Sequence, residues 1–279
     1  MDGNRGFNIM IILITKPKAG IQLNRAHPLT RGLVGYWIMN EGGGIRINDI
    51  SGYGNHGSAV NLAVNTWTGS QFGGAINLAS ASSQIVTMGN VLDFTTNNFS
   101  ISFWFRSTSG TSGYMVSKTA VAGDGYLVYF NGSGRPAFFL QTNASNWRQI
   151  TASASVNKAD GRWHHFVGVR LGASDPVLYG YIDGAYGLFD SPQSSGTVTT
   201  ITNSGDFQLS NSVQYYDGSI DEVRIYNRAL TTDEVTHLYS NPHADLMLGR
   251  YIFNQYYPDY KINNNRGIRP RPFAPGHAR

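Results

Sequence analysis

The chain has no cysteine, so disulfides, thiolate metal sites and a cysteine nucleophile are all excluded, and the redox compartment stays open. It has no long hydrophobic run either. The most apolar stretch, IMIILI at 9–14, is too short to span a bilayer and no small-residue cleavage site follows it, so it reads as a strand or anchoring segment. Charged residues make up only 14%, too few for a chain held open by self-repulsion. Neither a P-loop nor a dinucleotide fingerprint is present, and no Ser/His/Asp arrangement stands out.

What is present suits an all-β fold. A 279-residue chain that is 41% apolar can bury a sizeable core, and 33 glycines with 13% aromatics suggest short strands joined by turns. FSISFWFRS (99–107) alternates Phe99, Ile101, Phe103 and Phe105 with Ser100, Ser102, Trp104 and Arg106. GLVGYWIMNEG (32–42), GYLVYF (125–130), RPAFFLQT (135–142), RWHHFVGVRL (162–171), VLYGYIDG (177–184) and DFQLS (206–210) read the same way, each bounded by turn residues. Such spacing predicts two packed antiparallel sheets.

One helix interrupts the pattern. Thr231 and Glu234 have capping-box spacing, Leu230 and Val235 form a hydrophobic staple, and Val235, Leu238 and Tyr239 make an apolar stripe that ends at Asn241-Pro242. It is expected on the rim of the sandwich. In the preceding strand, the period-2 rule puts Asp221 on the face of Val223 and Ile225; a carboxylate facing a core needs a cation or several donors. Adjacent Asp221 and Glu222 should then point to opposite faces, as should His164 and His165, with His165 a packed structural residue.

Charge is uneven. Residues 1–31 carry five Lys or Arg against one acid and residues 250–279 six against one, whereas 32–249 hold ten basic and fifteen acidic residues. The net +4 conceals two basic arms on an acidic body. The expected organisation is an extended arm (1–31), a domain (32–240) and a second extended arm rich in Pro and aromatics (241–279).

GLVGYWIMNEGGG, DISGYGNHG, FSISFWFRS, RWHHFVGV, YIDG and GSIDEVRIYNRALTTDEV, in this order over roughly 32–240, resemble the laminin-G-like branch of the concanavalin A-like lectin/glucanase jelly rolls. The resemblance implies a two-sheet jelly roll with 33–41 paired to 219–227. It also implies a structural Ca²⁺ held by Asp221, with Asn40, Glu41, Asp49 and the Gly57 carbonyl as its neighbourhood; hard oxygen donors suit calcium. The alternative for Asp221 is hydrogen bonding to the DISGYGNHG loop.

Relatives that cleave glucans carry a Glu-x-Asp-x-x-Glu strand, absent here, so a non-enzyme is expected. Members of the family often bind sugars, and aromatics stack on sugar faces; the candidates are Tyr114, Trp147, Tyr186, Tyr215 and Tyr216, with Trp67 beside them. The arms resemble those of tailed-phage virion proteins. Lys16, Lys18, Arg25, Tyr256, Tyr257, Arg266, Arg269, Arg271 and Phe273 would dock the chain on a major capsid or other virion protein, with spaced cations and interspersed Pro disfavouring nucleic acid. The leading expectation is therefore a non-enzymatic head-decoration protein on the virion. The alternatives are a secreted or cell-surface carbohydrate-binding module and a divergent glycoside hydrolase; a cell-surface glycan and a second copy of the chain are further candidate partners.

Overall fold

A computed structural model describes residues 16–17, 20–62, 66–120, 124–187, 189–190 and 192–247, and the backbone of strands at 260–263 and 267–270. The first nine strands are β1 (Leu33–Trp37), β2 (Arg46–Ile47), β3 (Gly57–Val60), β4 (Trp67–Ser70), β5 (Gly73–Leu78), β6 (Ile85–Thr87), β7 (Phe99–Arg106), β8 (Gly113–Thr119) and β9 (Gly125–Phe130). They are followed by β10 (Pro136–Asn143), β11 (Asn146–Thr151), β12 (His164–Leu171), β13 (Val177–Ile182), β14 (Ala185–Tyr186), β15 (Gln193–Ser195), β16 (Phe207–Leu209) and β17 (Gly218–Tyr226). Helix α1 (Thr232–Ser240) comes next, and β18 (Tyr260–Asn263) pairs with β19 (Gly267–Pro270).

Two antiparallel sheets pack face to face. Sheet one runs β14-β13-β12-β7-β17-β5-β4, with β1 also on β17; sheet two runs β15-β11-β10-β9-β8-β16-β6-β3-β2. The first strand does pair with the last, Leu33 opposite Tyr226 and Trp37 opposite Val223. Alternation sorts the faces: Phe99, Ile101, Phe103 and Phe105 enter the inter-sheet core, where they meet Val128, Phe138 and Leu140 of sheet two. Closely spaced rings such as Phe94 and Phe99, 4.6 Å apart and stacked, fill it.

Sheet one has a second apolar layer on its outer side. Val167, Val169, Tyr181, Tyr36 and Tyr226 are buried beneath Leu230, Val235 and Leu238 of the helix segment and beneath Leu23, Leu29 and Leu246 from the flanking chain. The helix therefore covers a sheet face, not the rim. Its capping box forms as expected, Thr231 and Glu234 exchanging side-chain and backbone bonds.

The domain is also wider than its motifs suggest. Leu23 bridges to Leu246, the Asn24 N–H donates to the Asp245 carbonyl, and the Met247 N–H donates to the Gln22 carbonyl, so both flanks up to 247 pack on the body. Each buried leucine contributes about 2 kcal/mol to holding them there. Among the described residues, no helix is long and apolar enough to cross a membrane.

Candidate functional site

Strand β17 does not keep the simple alternation. Its pairing with β7 shifts between Asp221 and Arg224, and Glu222 adopts a left-handed backbone with φ +52°. This β-bulge inserts one residue and changes the phase, so Ile220, Val223 and Ile225 face the core while Asp221, opposite Trp104, lies on the outer side. The bulge overturns both strand-phase expectations: Asp221 leaves the face of Val223, and Asp221 and Glu222 no longer diverge. Lys16 Nζ, its side chain 3% exposed, bonds Asp221 Oδ1 and lies 3.9 Å from Glu222 Oε1.

Lys16 completes an oxygen cage. Its ammonium donates to the carbonyls of Ile38, Met39 (3.3 Å) and Gly74 (2.5 Å) as well as to Asp221. Burial lifts the Asp221 carboxyl above its ordinary range, opposed by the Lys16 charge. Beside it, Glu222 accepts from the Tyr36 hydroxyl (2.6 Å) and pairs with Arg224 (3.2 Å) and His243 (3.0 Å). Burial works against that carboxylate, but the His243 hydrogen bond and the Arg224 charge outweigh it and hold its pKa below the usual range. Both carboxyls are fully buried and committed, out of reach of a substrate.

The residues expected around a calcium ion separate into different tasks. Asp49 accepts from the backbone of Tyr36, Ser51 and Asn55 and from the Ser51 hydroxyl, anchoring the DISGYGNHG loop. Glu41 receives Asn48, Asn40 donates to the Pro17 carbonyl, and Gly57 belongs to β3 against Ile47. Only Asp221 of the five has a side chain in the cage. Its carboxylate and three carbonyls are hard oxygen donors of the kind calcium takes, four where that ion takes six to eight, and the Lys16 ammonium fills the place between them.

His164 and His165 are held inside the fold. His165 is buried between Trp104 and Tyr239, at ring distances of 5.0 and 6.1 Å, with Nε2 2.9 Å from the Ser102 hydroxyl. Burial first, then the Arg224 charge, pushes its pKa down to about 3. His164 Nδ1 meets Asp183 at 2.9 Å and its Nε2 meets Asp160 at 3.0 Å. Among the described residues no cluster of three His, Asp or Glu is arranged to hold a metal.

The outer face of sheet two is built differently. Val128, Phe138, Leu140 and Ile150 point into the core, so their neighbours Tyr129, Phe139, Gln141, Trp147 and Gln149 point outward and stay partly exposed. Tyr114 joins them, edge-on to Tyr129 at 6.0 Å, and Trp147 stacks with Phe139 at 5.9 Å. Between these two aromatic pairs and β15, Gln149 accepts from the Tyr129 hydroxyl (2.9 Å) and donates to Thr151 (2.8 Å). It lines a cleft of about 150 Å³ with Asn131, Arg135, Thr151, Asp190 and Gln193. A second cleft of about 190 Å³ shares Asp190 and is bordered by Tyr179, Tyr186 and Phe189.

Of the sugar-stacking candidates, Tyr114 and Trp147 thus share one sheet face. Tyr186, 60% exposed, lines the neighbouring cleft with Tyr179 and has its ring 5.4 Å from that of the buried Tyr181. Tyr215 is half-buried in the loop before β17, and Trp67 donates to the Gly44 carbonyl and packs against the core. Tyr216 does not belong with them: it is 1% exposed, inside the core against Phe130, and its hydroxyl donates to the Arg106 carbonyl. Tyr129, Phe139 and the glutamines were missed because the strand signal was read for its buried members alone. The opposite phase of the same alternation was the signal available.

Residues 80–236 match the family model of the concanavalin A-like lectin/glucanases superfamily, Laminin_G_3, over more than half the chain. The chain belongs to that superfamily. Among solved structures, this superfamily member is similar to the binding domain of Paraclostridial Mosquitocidal Protein 1, with TM-score 0.60 and 16% identity over 77% of this chain and 53% of that one. It is also similar to the receptor binding domain of botulinum neurotoxin D, with TM-score 0.56 and 14% identity over 77% and 54%. The binding domain of botulinum neurotoxin DC in complex with SialylT gives TM-score 0.56 and 15% identity over 76% and 52%. The chain spans about half the length of these structures, and at such identities the likeness is one of fold. No curated protein matches the chain.

Of the docking residues proposed from the sequence, Lys16 is in the cage and Arg25 donates to the Ser51 carbonyl. Both are turned onto the chain's own domain. Arg269 lies on β19, and Lys18, Tyr256, Tyr257, Arg266, Arg271 and Phe273 lie outside the described residues.

Proposed function

We propose that this chain is a non-enzymatic, carbohydrate-binding jelly-roll module whose ligand lies on the outer face of sheet two. The observation that carries this reading is the pairing of Tyr114 with Tyr129 and of Phe139 with Trp147 beside a cleft lined by three amides, a threonine hydroxyl and the Arg135–Asp190 ion pair. Aromatic faces stack on the apolar faces of sugar rings, and glutamine and threonine side chains match their hydroxyls. The similar toxin folds are themselves binding domains, one of them in complex with SialylT, which supports a recognition role. Affinity electrophoresis through gels containing soluble polysaccharides tests it. Retardation should be lost in Trp147→Ala with the melting temperature kept within a few degrees, whereas equal retardation of parent and variant moves the site elsewhere.

The finer reading is a head-decoration protein of a tailed phage that displays this face from the capsid. It rests on the virion-like order of arms and body and on the basic, aromatic composition of 250–279, where the chain carries six Lys or Arg against one acid. Docking would fall to 250–279, since Lys16 and Arg25 are engaged on the domain. Co-sedimentation with capsids, comparing the full chain with one lacking 250–279, tests this: equal binding removes the docking role from the tail.

A further inference from the structure

Resting on the sugar-binding reading, we infer that the face selects neutral, extended oligosaccharides and discriminates against acidic ones. The five strands that build it, β8, β9, β10, β11 and β15, contain no aspartate or glutamate, and their only cations are Lys118 and Arg148. Lys118 is fully buried, held by Asn90 and the Gly205 carbonyl at 2.7 Å each and by Asp93 at 3.4 Å. Arg148 pairs with Asp175 and donates to the Gly196 carbonyl at 2.9 Å. The cleft adds Arg135 and Asp190, which neutralise each other at 3.2 Å, Arg135 donating also to the Ala152 carbonyl.

Among the described residues, the cations of these strands and of the cleft are therefore already engaged. An acidic sugar lying here would lose hydration with no free guanidinium or ammonium among the described residues to offset it. Hydroxyls face no such cost. Gln149 and Gln193 share a hydrogen bond at 3.5 Å, and the Tyr129 phenol, kept neutral by a pKa that burial raises, gives its proton to Gln149 and keeps a lone pair to accept from a sugar hydroxyl. At the usual strand separation, crossing from β15 to β8 covers about 19 Å. A ligand running across the strands meets Gln193, Gln149, Phe139 and Tyr129 in turn, which needs several rings.

Titration calorimetry on the full chain decides the point, with cellohexaose, xylohexaose, chitohexaose and maltohexaose as neutral probes and hexagalacturonate and sialyllactose as acidic ones. At least one neutral hexasaccharide should bind about tenfold or more tighter than its own disaccharide and than either acidic probe, that is by about 1.4 kcal/mol. Asp190→Asn releases Arg135, so it should strengthen acidic binding and narrow that gap. An acidic preference in the parent that Trp147→Ala abolishes would overturn neutral selection and leave the sugar-binding reading intact. Binding of none of the six overturns both.

Discussion

At the scale of single residues, the apolar outer side of sheet one encloses a cluster of charges that have no access to water. Asp221 and Glu222 are brought to one side by a bulge whose strained backbone, a glutamate at φ +52°, is held because the carboxylate is gripped by Tyr36, Arg224 and His243. Lys16 supplies the cation for Asp221. Removing it with Lys16→Ala leaves a buried carboxylate facing three carbonyls, and the melting temperature should fall. Because those oxygens suit a hard cation, millimolar calcium should restore part of the loss, and Asp221→Ala on the same background should abolish the recovery. A calcium-blind Lys16→Ala variant would show that the cage takes an ammonium only. Asp183 offers a second test. Burial raises its pKa, yet the His164 hydrogen bond, the His165 N–H and the Lys158 ammonium outweigh this and bring it to about 2, below its ordinary 3.8. A depressed carboxyl stabilises the fold above its unfolded pKa and loses that contribution as pH falls through the folded one. Asp183→Asn should therefore cost about 2 kcal/mol at neutral pH and almost nothing near pH 2. A urea-unfolding difference that is flat with pH would remove the linkage.

At the scale of elements, the alternation in FSISFWFRS and the turn residues around GYLVYF located β7 and β9 to within a residue, because in each the core face repeats every second position without a break. The helix was equally legible: its start is a local hydrogen-bond exchange between Thr231 and Glu234 that needs nothing from the rest of the fold, reinforced by Arg228 gripping Glu234 at 2.7 Å through two nitrogens. Thr231→Ala should lower stability by about 1 kcal/mol, read as a shift of the urea midpoint at unchanged slope. A loss under a few tenths would mean that the Arg228 pair alone holds the helix start. The bulge in β17 was not legible. A left-handed position usually advertises itself as glycine, but here it is Glu222, and what stabilises it comes from Tyr36 and His243, both distant in sequence. The proposed sugar-binding face was half legible for a related reason. Tyr114 and Trp147 can be picked out as aromatics, but that they share a face with Tyr129 and Phe139 follows from strand order, which depends on long-range pairing.

At the scale of the whole molecule, the flanks are part of the fold. Composition marks 241–279 as one Pro- and aromatic-rich arm, yet its first seven residues complete the charge network on sheet one: the Pro242 carbonyl accepts from Arg224, His243 meets Glu222 at 3.0 Å, and Asp245 lies 3.4 Å from Arg224. Leu246 closes the apolar layer against Leu23. Such contacts carry no periodic signal, so a boundary drawn after the helix cuts through a buried ion cluster. Two truncations separate the alternatives. A chain ending at residue 247 keeps every one of these partners and should melt cooperatively within a few degrees of the full chain. A chain ending at 240 strips Glu222 of His243 and Arg224 of both Pro242 and Asp245, leaving desolvated charges with fewer partners. Breaking a buried pair by removing one member costs about 3–5 kcal/mol, a large fraction of the stability of an ordinary domain, so this shorter chain should unfold at a much lower temperature or fail to fold. The expected order is full chain about equal to 247, with 240 far below; equal melting of the two truncations would return 241–247 to the arm and show that the charges on sheet one tolerate water.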